Sequence, residues 1–143
     1  DMADVVKSKA AEQDIIIMTA AVADFCPSHP ADEKIKKNDS SYESVIELER
    51  TEDILSYLGA HKAKGQLICG FSMETQNMLE NSKAKLAKKN ADMIVANNLK
   101  VAGAGFGTDT NVVTLITADD CTELEIMDKS CVASRIMDRL LQM

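Results

Sequence analysis

Seven of the sixteen basic residues lie in two short stretches of the sequence. The first stretch contains Lys34, Lys36 and Lys37, and the second contains Lys83, Lys85, Lys88 and Lys89. In a helix, Lys85 and Lys89 would share one face, where two ammonium groups could straddle a triphosphate. The net charge of the whole chain is −7, so these local positive sites indicate a small phosphorylated ligand and argue against nucleic acid. A solvated helix face is the ordinary alternative for such a run of charges.

Polar and aromatic residues follow the predicted strands. Asp24 and Phe25 come after the first strand, Phe71 closes the next, and Asn97 and Asn98 follow the third. Open α/β sheets bind ligands outside the carboxyl ends of their strands. There, an aromatic ring can stack on a base, and the carboxylate of Asp24 can bind a hydroxyl, an amine or a magnesium ion. Local packing of each phenylalanine and turn formation by Asp24 are equally ordinary.

Strands and helices alternate along the chain, and they must position these residues. Helices are predicted over residues 3–13, from Thr51 onward, over 76–90 and over 129–141; strands are predicted over 14–19, 42–50, 66–71 and 92–96, with a β-hairpin over 111–127. Residues 20–33 have no periodicity and predict a long loop. The order of elements is typical of an α/β fold with a parallel sheet and right-handed crossovers.

Several details of these elements are specific enough to be checked. The run at residues 14–19 predicts a strand buried on both faces, because it is continuously apolar and β-branched. Thr51 is predicted to cap the next helix, which carries Ile54, Leu55 and Leu58 inward. In the helix over residues 76–90, the predicted inward side chains are Met78, Leu79, Ser82 and Leu86. The alternation of Val45, Ile46 and Leu48 with glutamates predicts a half-exposed strand.

Composition excludes several classes of protein. A length of 143 residues with 45% hydrophobic and 27% charged residues fits one globular domain. No apolar run approaches the roughly 20 residues that cross a bilayer, so no membrane partner is expected. The four cysteines have no zinc-site spacing, and free thiols in the cytoplasm are the expectation. The glycines of residues 103–107 do not form a GxGxxG motif, so an NAD-dependent oxidoreductase is unsupported.

Five motifs, in this order and spacing, resemble phosphopantothenoylcysteine synthetase, the ligase half of the bacterial Dfp flavoprotein. They are AAVADF (20–25), EKIKK (33–37), GFSMET (70–75), KLAKKNADMIVANN (85–98) and GFGTDTN (105–111). The resemblance implies a Rossmann-like three-layer sandwich with a mostly parallel sheet and a C-terminal β-hairpin. It also implies coenzyme A biosynthesis in the cytoplasm. CTP would activate 4′-phosphopantothenate as an acyl-cytidylate, and L-cysteine would then attack it. The implied enzyme is a homodimer that requires Mg²⁺, with FMN only where a decarboxylase domain is fused.

The resemblance also assigns roles to individual residues. The residues that match its nucleotide-binding positions are Asp24, Lys34, Phe71, Lys85 and Lys89. Lys34 belongs to the family's mobile flap and is the expected catalytic residue. The backbone of Ala20 and Ala21 is expected to face phosphopantothenate, whereas no metal ligand is assigned. The family often has Asn-Pro where this chain has Thr51-Glu52.

The resemblance covers almost the whole chain but not the whole family domain. The family begins with a Gly-Gly-Thr motif, an Arg, an Asn and two strands, none of which is in this sequence. We therefore expect residues 1–143 to be the C-terminal two-thirds of one synthetase domain, without its N-terminal strands. The alternative function is a non-catalytic nucleotide-sensing module on the same fold.

Overall fold

A computed structural model of the chain describes residues 1–34, 45–73, 78–98, 101, 103–105 and 107–143. Its helices are α1 (Met2–Ala10), α2 (Ile54–Ala60), α3 (Met78–Lys89) and α4 (Lys129–Leu140). Its strands are β1 (Ile15–Met18), β2 (Phe25–Pro27), β3 (Leu48–Arg50), β4 (Leu67–Met73), β5 (Met93–Asn97), β6 (Thr110–Asn111), β7 (Val113–Ile116), β8 (Cys121–Glu123) and β9 (Met127–Asp128). The chain divides into two compact units: the main unit, Asp1–Thr19 with Ile54–Met143, and the small unit, Ala20–Asp53.

The main unit is built on a five-stranded sheet of order β1-β4-β5-β7-β8. β1, β4 and β5 run parallel, with Ile15 opposite Leu67 and Gly70 opposite Ile94. β7 and β8 are antiparallel additions and form the hairpin expected near the C-terminus. The predicted α/β class, mostly parallel sheet and C-terminal hairpin are therefore confirmed.

Side chains that alternate along the strands form two cores, one on each face of the sheet. On one face, Cys69, Met93 and Val95 pack with Val132, Ile136 and Leu140, the apolar stripe of α4. On the other, Ile68 packs with Ile54 and Leu58 of α2 and with partly buried residues of α1. Helices on both faces of one sheet give the three layers expected from the sequence.

Some predictions fail in their local detail. β1 is half-buried along its whole length, because it pairs only with β4 and lies at the edge of the described sheet. Thr51 does not cap α2, because this helix begins only at Ile54. The N–H of Thr51 instead donates to the Asp24 carbonyl. Leu79, which was predicted to point inward, is 46% exposed. It lies in the first turn of α3, and the described buried side chains of this helix begin at Ser82. The side chain of Met78 lies outside the described part.

The small unit contains a two-stranded antiparallel sheet that the sequence did not predict. Phe25 pairs with Arg50, and Pro27 pairs with Leu48. The predicted loop over residues 20–33 thus includes the short strand β2, and the predicted strand over residues 42–50 is regular only in β3. Leu48 is exposed together with the rest of β3, because among the described residues β2 is the one strand that pairs with it. Residues 42–44 lie outside the described part.

The end of α3 is fixed against α2. Asn90, just after the helix, has a φ of 47°, and Ala91 N–H donates to the Leu86 carbonyl at 3.1 Å, as in a Schellman cap. The Asn90 side chain donates to the Gly59 carbonyl at 2.8 Å. A Cβ on Gly59 would lie 1.7 Å from the Lys89 carbonyl oxygen. The two helices therefore approach more closely here than any side chain at residue 59 would permit.

Candidate functional site

The ammonium group of Lys85 lies at the carboxyl end of β4. Its Nζ donates a hydrogen bond to the Phe71 carbonyl oxygen at 3.1 Å, and the side chain is half-buried. The sequence predicted Lys85 on a helix and Phe71 at a strand end, and the structure places these two residues in contact. The contact orients the charge towards the edge of the sheet where ligands of α/β folds bind.

Lys89 lies one helical turn after Lys85 and contacts a different element. Its Nζ donates to the Ser56 hydroxyl of α2 at 2.9 Å, and it too is half-buried, whereas Lys83 and Lys88 on the same helix are exposed. The four lysines thus divide into an exposed pair and a pair held against neighbouring elements. The alternative of a solvated helix face therefore fits Lys83 and Lys88 but not Lys85 and Lys89.

A chain of hydroxyl and amide groups crosses the carboxyl ends of the strands beside Lys85. The Ser72 and Ser82 hydroxyls are 3.1 Å apart and buried. Asn97 Nδ2 donates to the Ser72 carbonyl at 3.3 Å, and Asn111 Nδ2 donates to Asn97 Oδ1 at 2.8 Å. The sequence marked Asn97 as a strand end but did not predict its contact with Asn111, because the pair joins β5 to β6 and has no local pattern.

The Phe71 ring has a packing role that the sequence left open. Phe71 is half-buried and packs against the core cluster that includes Val132 and Ile136 of α4. The hydroxyl of the next residue, Ser72, points to Ser82 of α3 instead. The ring therefore contributes to the core on the α4 face, and its exposed part remains accessible to a ligand.

The other predicted site residues belong to the small unit. Ala20, Ala21, Asp24 and Lys34 are all exposed. The backbone of Asp24 is fixed, because its carbonyl accepts the Thr51 N–H at 3.0 Å, and the Thr51 hydroxyl donates to the Ala23 carbonyl. These contacts hold the start of β2 next to the end of β3 and leave the Asp24 carboxylate at the surface. Lys36 and Lys37 lie outside the described residues.

Cys69 is the buried thiol of the sheet and is not suited to chemistry. Burial, with a smaller contribution from the charge of Asp92, raises the pKa of Cys69 to about 12. The Asp92 carboxylate accepts hydrogen bonds from the Lys62 ammonium at 2.9 Å and from the Ile68 N–H at 2.7 Å. The thiolate is the reactive form of cysteine, so Cys69 is an apolar core residue at neutral pH.

Within the described ranges, no three His, Cys, Asp or Glu side chains are grouped so that they could hold a metal ion. Similarly, none of the described helices has the length and apolar character needed to span a bilayer. The half-buried ammonium groups of Lys85 and Lys89 could bind an anion. A phosphate oxygen would replace the Phe71 carbonyl and the Ser56 hydroxyl as hydrogen-bond acceptors of Lys85 and Lys89.

Comparison with known proteins agrees with the resemblance. The family described as the DNA/pantothenate metabolism flavoprotein C-terminal domain matches residues 1–143. The coenzyme A biosynthesis bifunctional protein CoaBC of Bacillus subtilis (strain 168) is 47% identical over 141 residues, which are 98% of this chain and 34% of that protein. A cysteine/cysteine sulfinic acid decarboxylase from an unknown prokaryotic organism is 47% identical over 131 residues, or 91% of this chain and 36% of that protein.

A solved structure is similar over nearly the entire chain. The crystal structure of the C-terminal domain of a coenzyme A biosynthesis bifunctional protein CoaBC aligns with a TM-score of 0.77 and 40% identity. The alignment covers 99% of this chain and 62% of that one. The chain spans about a third of the length of the two curated relatives. It belongs to the family of the DNA/pantothenate metabolism flavoprotein C-terminal domain, which confirms the resemblance seen in its motifs.

Proposed function

We propose that this chain supplies the nucleotide-binding part of a ligase that joins 4′-phosphopantothenate to L-cysteine, with cleavage of CTP, in coenzyme A biosynthesis. The observation that carries the proposal is the pair of half-buried lysines on α3. Lys85 and Lys89 direct their ammonium groups to the end of β4 and to α2. The name of the Bacillus subtilis relative supports the pathway, and its identity of 47% over 98% of this chain supports a shared reaction.

The proposed reaction has two steps. A carboxylate oxygen of 4′-phosphopantothenate attacks the α-phosphorus of CTP, the bond from that phosphorus to the bridging oxygen breaks, and pyrophosphate leaves. The product is an acyl-cytidylate. The amine of L-cysteine then attacks the acyl carbon and loses a proton, and CMP leaves. The net products are 4′-phospho-N-pantothenoylcysteine, CMP and pyrophosphate.

Each predicted residue has a role in this scheme. Lys85 and Lys89 bind the triphosphate, while Asp24 and Phe71 contact the nucleotide. The backbone of Ala20 and Ala21 faces phosphopantothenate. Charge-assisted hydrogen bonds contribute roughly 1.5–3 kcal/mol each, so a few such contacts suffice for micromolar binding.

Lys34 is the proposed catalytic residue. Its ammonium would meet the charge that develops as the carboxylate attacks the α-phosphorus, an interaction that belongs to the transition state. Lys34 is exposed. An exposed side chain is compatible with a group that contacts the substrates only during the reaction.

Magnesium fits this scheme as part of the substrate. The described residues contain no group of three potential ligands that could form a protein cage. Mg²⁺ commonly binds through one or two carboxylates together with substrate phosphates and water. We therefore propose that it enters as the Mg²⁺ complex of CTP, with the exposed carboxylate of Asp24 as the candidate protein ligand.

The decisive experiment follows product formation by the complete protein as it is encoded. 4′-Phosphopantothenate, L-cysteine and Mg²⁺ are supplied with CTP or with ATP, and the products are separated by mass spectrometry. We expect 4′-phospho-N-pantothenoylcysteine and CMP in equal amounts, and tighter calorimetric binding of CTP than of ATP. A protein that binds CTP but forms neither product would instead be the nucleotide-sensing module, and tighter ATP binding would remove the CTP preference.

The complete protein is proposed to contain more than this chain. Residues 1–143 would form the C-terminal two-thirds of one synthetase domain, since they cover 62% of a structure described as such a C-terminal domain. FMN would be bound only if a decarboxylase domain is fused to it. The enzyme is proposed to act in the cytoplasm as a homodimer.

A further inference from the structure

Two buried hydroxyl groups lie beside the lysine pair and have no role in the proposed reaction. Ser72, near the end of β4, is 4% exposed, and Ser82 of α3 is completely buried. Their oxygens are 3.1 Å apart. Buried hydroxyls that cannot reach water require a partner, and here each supplies the partner of the other. The pair is therefore a specific polar connection inside an otherwise apolar layer.

This connection lies within one helical turn of Lys85. Ser82 precedes Lys85 by three residues, so both side chains project from one face of α3. Ser72 follows Phe71, whose carbonyl accepts the Lys85 ammonium at 3.1 Å. Two adjacent residues of β4 thus hold two side chains of the same turn of α3. One bond joins hydroxyl to hydroxyl, and the other joins ammonium to carbonyl.

Ser72 is itself held from the opposite side. The Asn97 amide of β5 donates to its carbonyl at 3.3 Å, and β4 is paired with β5 through Ser72 and Met73. The end of β4 is thus fixed by the sheet. α3 is attached to it through side chains, and the Ser72–Ser82 bond is one of these attachments, three residues before Lys85.

We propose that the Ser72–Ser82 hydroxyl pair positions the Lys85 ammonium for phosphate binding. The inference rests on the proposed function, in which Lys85 contacts the triphosphate. Neither serine touches the ligand, because both are buried. Their effect is to restrict Lys85 before binding, and a restricted side chain loses less conformational entropy when it forms a contact.

The test measures CTP dissociation constants and melting temperatures of the complete protein and its variants. The variants are Ser82→Ala, the double variant Ser72→Ala/Ser82→Ala, Lys85→Gln, and Ser82→Ala/Lys85→Gln. We expect Ser82→Ala to weaken CTP binding about fivefold, the scale of one lost hydrogen bond. Removing both hydroxyls leaves no unpaired group, so the double alanine variant should regain melting temperature but not CTP affinity.

The double-mutant cycle separates positioning from general destabilisation. If Ser82 acts through Lys85, then Ser82→Ala should change CTP affinity less than about twofold once Lys85 is glutamine. Ser134→Ala is the matched control, because Ser134 is exposed on α4 and its hydroxyl donates to the Ser130 carbonyl of the same helix. The CTP affinity of this variant should equal that of the wild type.

Three results would overturn the inference alone: unchanged CTP affinity in Ser82→Ala, an undiminished effect in the Lys85→Gln background, or recovered affinity in the double alanine variant. A wild-type protein that does not bind CTP would overturn the proposed function, and the inference with it.

Discussion

Lys85 and Lys89 already have protein partners, which determines what a ligand must do at this site. The Lys85 ammonium donates to the Phe71 carbonyl, and the Lys89 ammonium donates to the Ser56 hydroxyl. A triphosphate therefore offers each ammonium a charged acceptor in place of a neutral one, and the attraction between opposite charges is added to the hydrogen bond. The net gain per lysine is the difference between the two bonds. Both lysines should contribute to binding in the ground state and in the transition state alike.

We therefore expect Lys85→Gln and Lys89→Gln to weaken CTP binding roughly 10- to 100-fold, the loss of one charge-assisted contact of about 1.5–3 kcal/mol. kcat at saturating CTP should change little, because uniform binding is lost. Lys83→Gln is the matched control, since Lys83 is exposed on the same helix. Calorimetry and steady-state kinetics measure both quantities. An equal loss of affinity in Lys83→Gln would show that α3 acts only through its overall charge.

Lys34→Gln should have the opposite effect. If Lys34 stabilises only the charge of the transition state, its loss should lower kcat by roughly 10²-fold or more with little change in CTP affinity. The contrasting possibility is a solvated surface lysine, whose substitution leaves kcat within about a factor of two. Parallel kinetics of Lys34→Gln and Lys85→Gln distinguish the two roles, and an unchanged kcat would end the flap hypothesis.

The thiol of Cys69 should be inert in the folded protein. Its pKa is raised to about 12 by burial, while Cys121 and Cys131 are exposed. At pH 8, a thiol reagent should modify the two exposed cysteines rapidly and Cys69 only after unfolding, as mass spectrometry of the labelled peptides would show. Between pH 9 and pH 12 the Cys69 thiol ionises in the unfolded chain but stays protonated in the folded protein. Ionisation therefore stabilises the unfolded state, and the contribution of Cys69 to the free energy of unfolding should fall as the pH rises. Rapid labelling of Cys69 in the native state would contradict its burial.

At the scale of elements, the contact between α2 and α3 determines where Lys89 lies. The backbone of Lys89 packs directly on Gly59, where an added Cβ would lie 1.7 Å from a carbonyl oxygen. The Asn90 side chain closes the same junction through the Gly59 carbonyl. The turn that carries Lys89 is thus fixed by a backbone contact that requires glycine.

Gly59→Ala should reduce the free energy of unfolding by about 1–3 kcal/mol or more, as overpacking does when neither backbone can yield. Gly70→Ala is a useful comparison, because its Cβ would meet the Leu55 Cδ2 methyl at 2.6 Å, and a side-chain end can rotate away. Urea denaturation should therefore rank Gly59→Ala as the more destabilising change. The reverse order would show that α2 and α3 separate easily.

The sequence predicted the elements whose pattern is local. β4 and β5 have continuous apolar runs, and α4 repeats Val132, Ile136 and Leu140 at helical spacing, so their burial follows from short segments. β2 and β3 have three residues each and depend on each other across 20 intervening residues, which no local pattern can encode. The Asn97–Asn111 contact and the contact of Lys89 with Ser56 could not be predicted for the same reason, because each joins residues that are far apart in the sequence.

At the scale of the whole molecule, the exposed apolar side chains of the small unit point to an assembly. Val45 is 81% exposed and Ile46 is 70% exposed, and both lie just before β3 in the small unit. We expect light scattering of the complete protein to give a homodimer with two-fold symmetry, the commonest closed arrangement. Val45→Asp should weaken the dimer, whereas Val5→Asp, at an exposed position of α1, should not. A monomer at assay concentrations would contradict this prediction.

The net charge of −7 is a property of the whole chain, and we expect it to favour small anions over long polyanions at the lysine site. A long polyanion would be repelled by the acidic remainder of the surface, whereas a triphosphate needs only the local field of a few lysines. We propose that this field serves the activation of a carboxylate by a nucleotide.

The measurement that tests this claim most directly is isotope exchange between labelled pyrophosphate and CTP, catalysed by the complete protein with Mg²⁺ and without cysteine. Exchange requires reversible formation of the acyl-cytidylate. We expect label in CTP only when 4′-phosphopantothenate is present, with exchange at saturating CTP preserved in Lys85→Gln and strongly reduced in Lys34→Gln. Absence of exchange in the wild type, or exchange that does not depend on 4′-phosphopantothenate, would contradict the account.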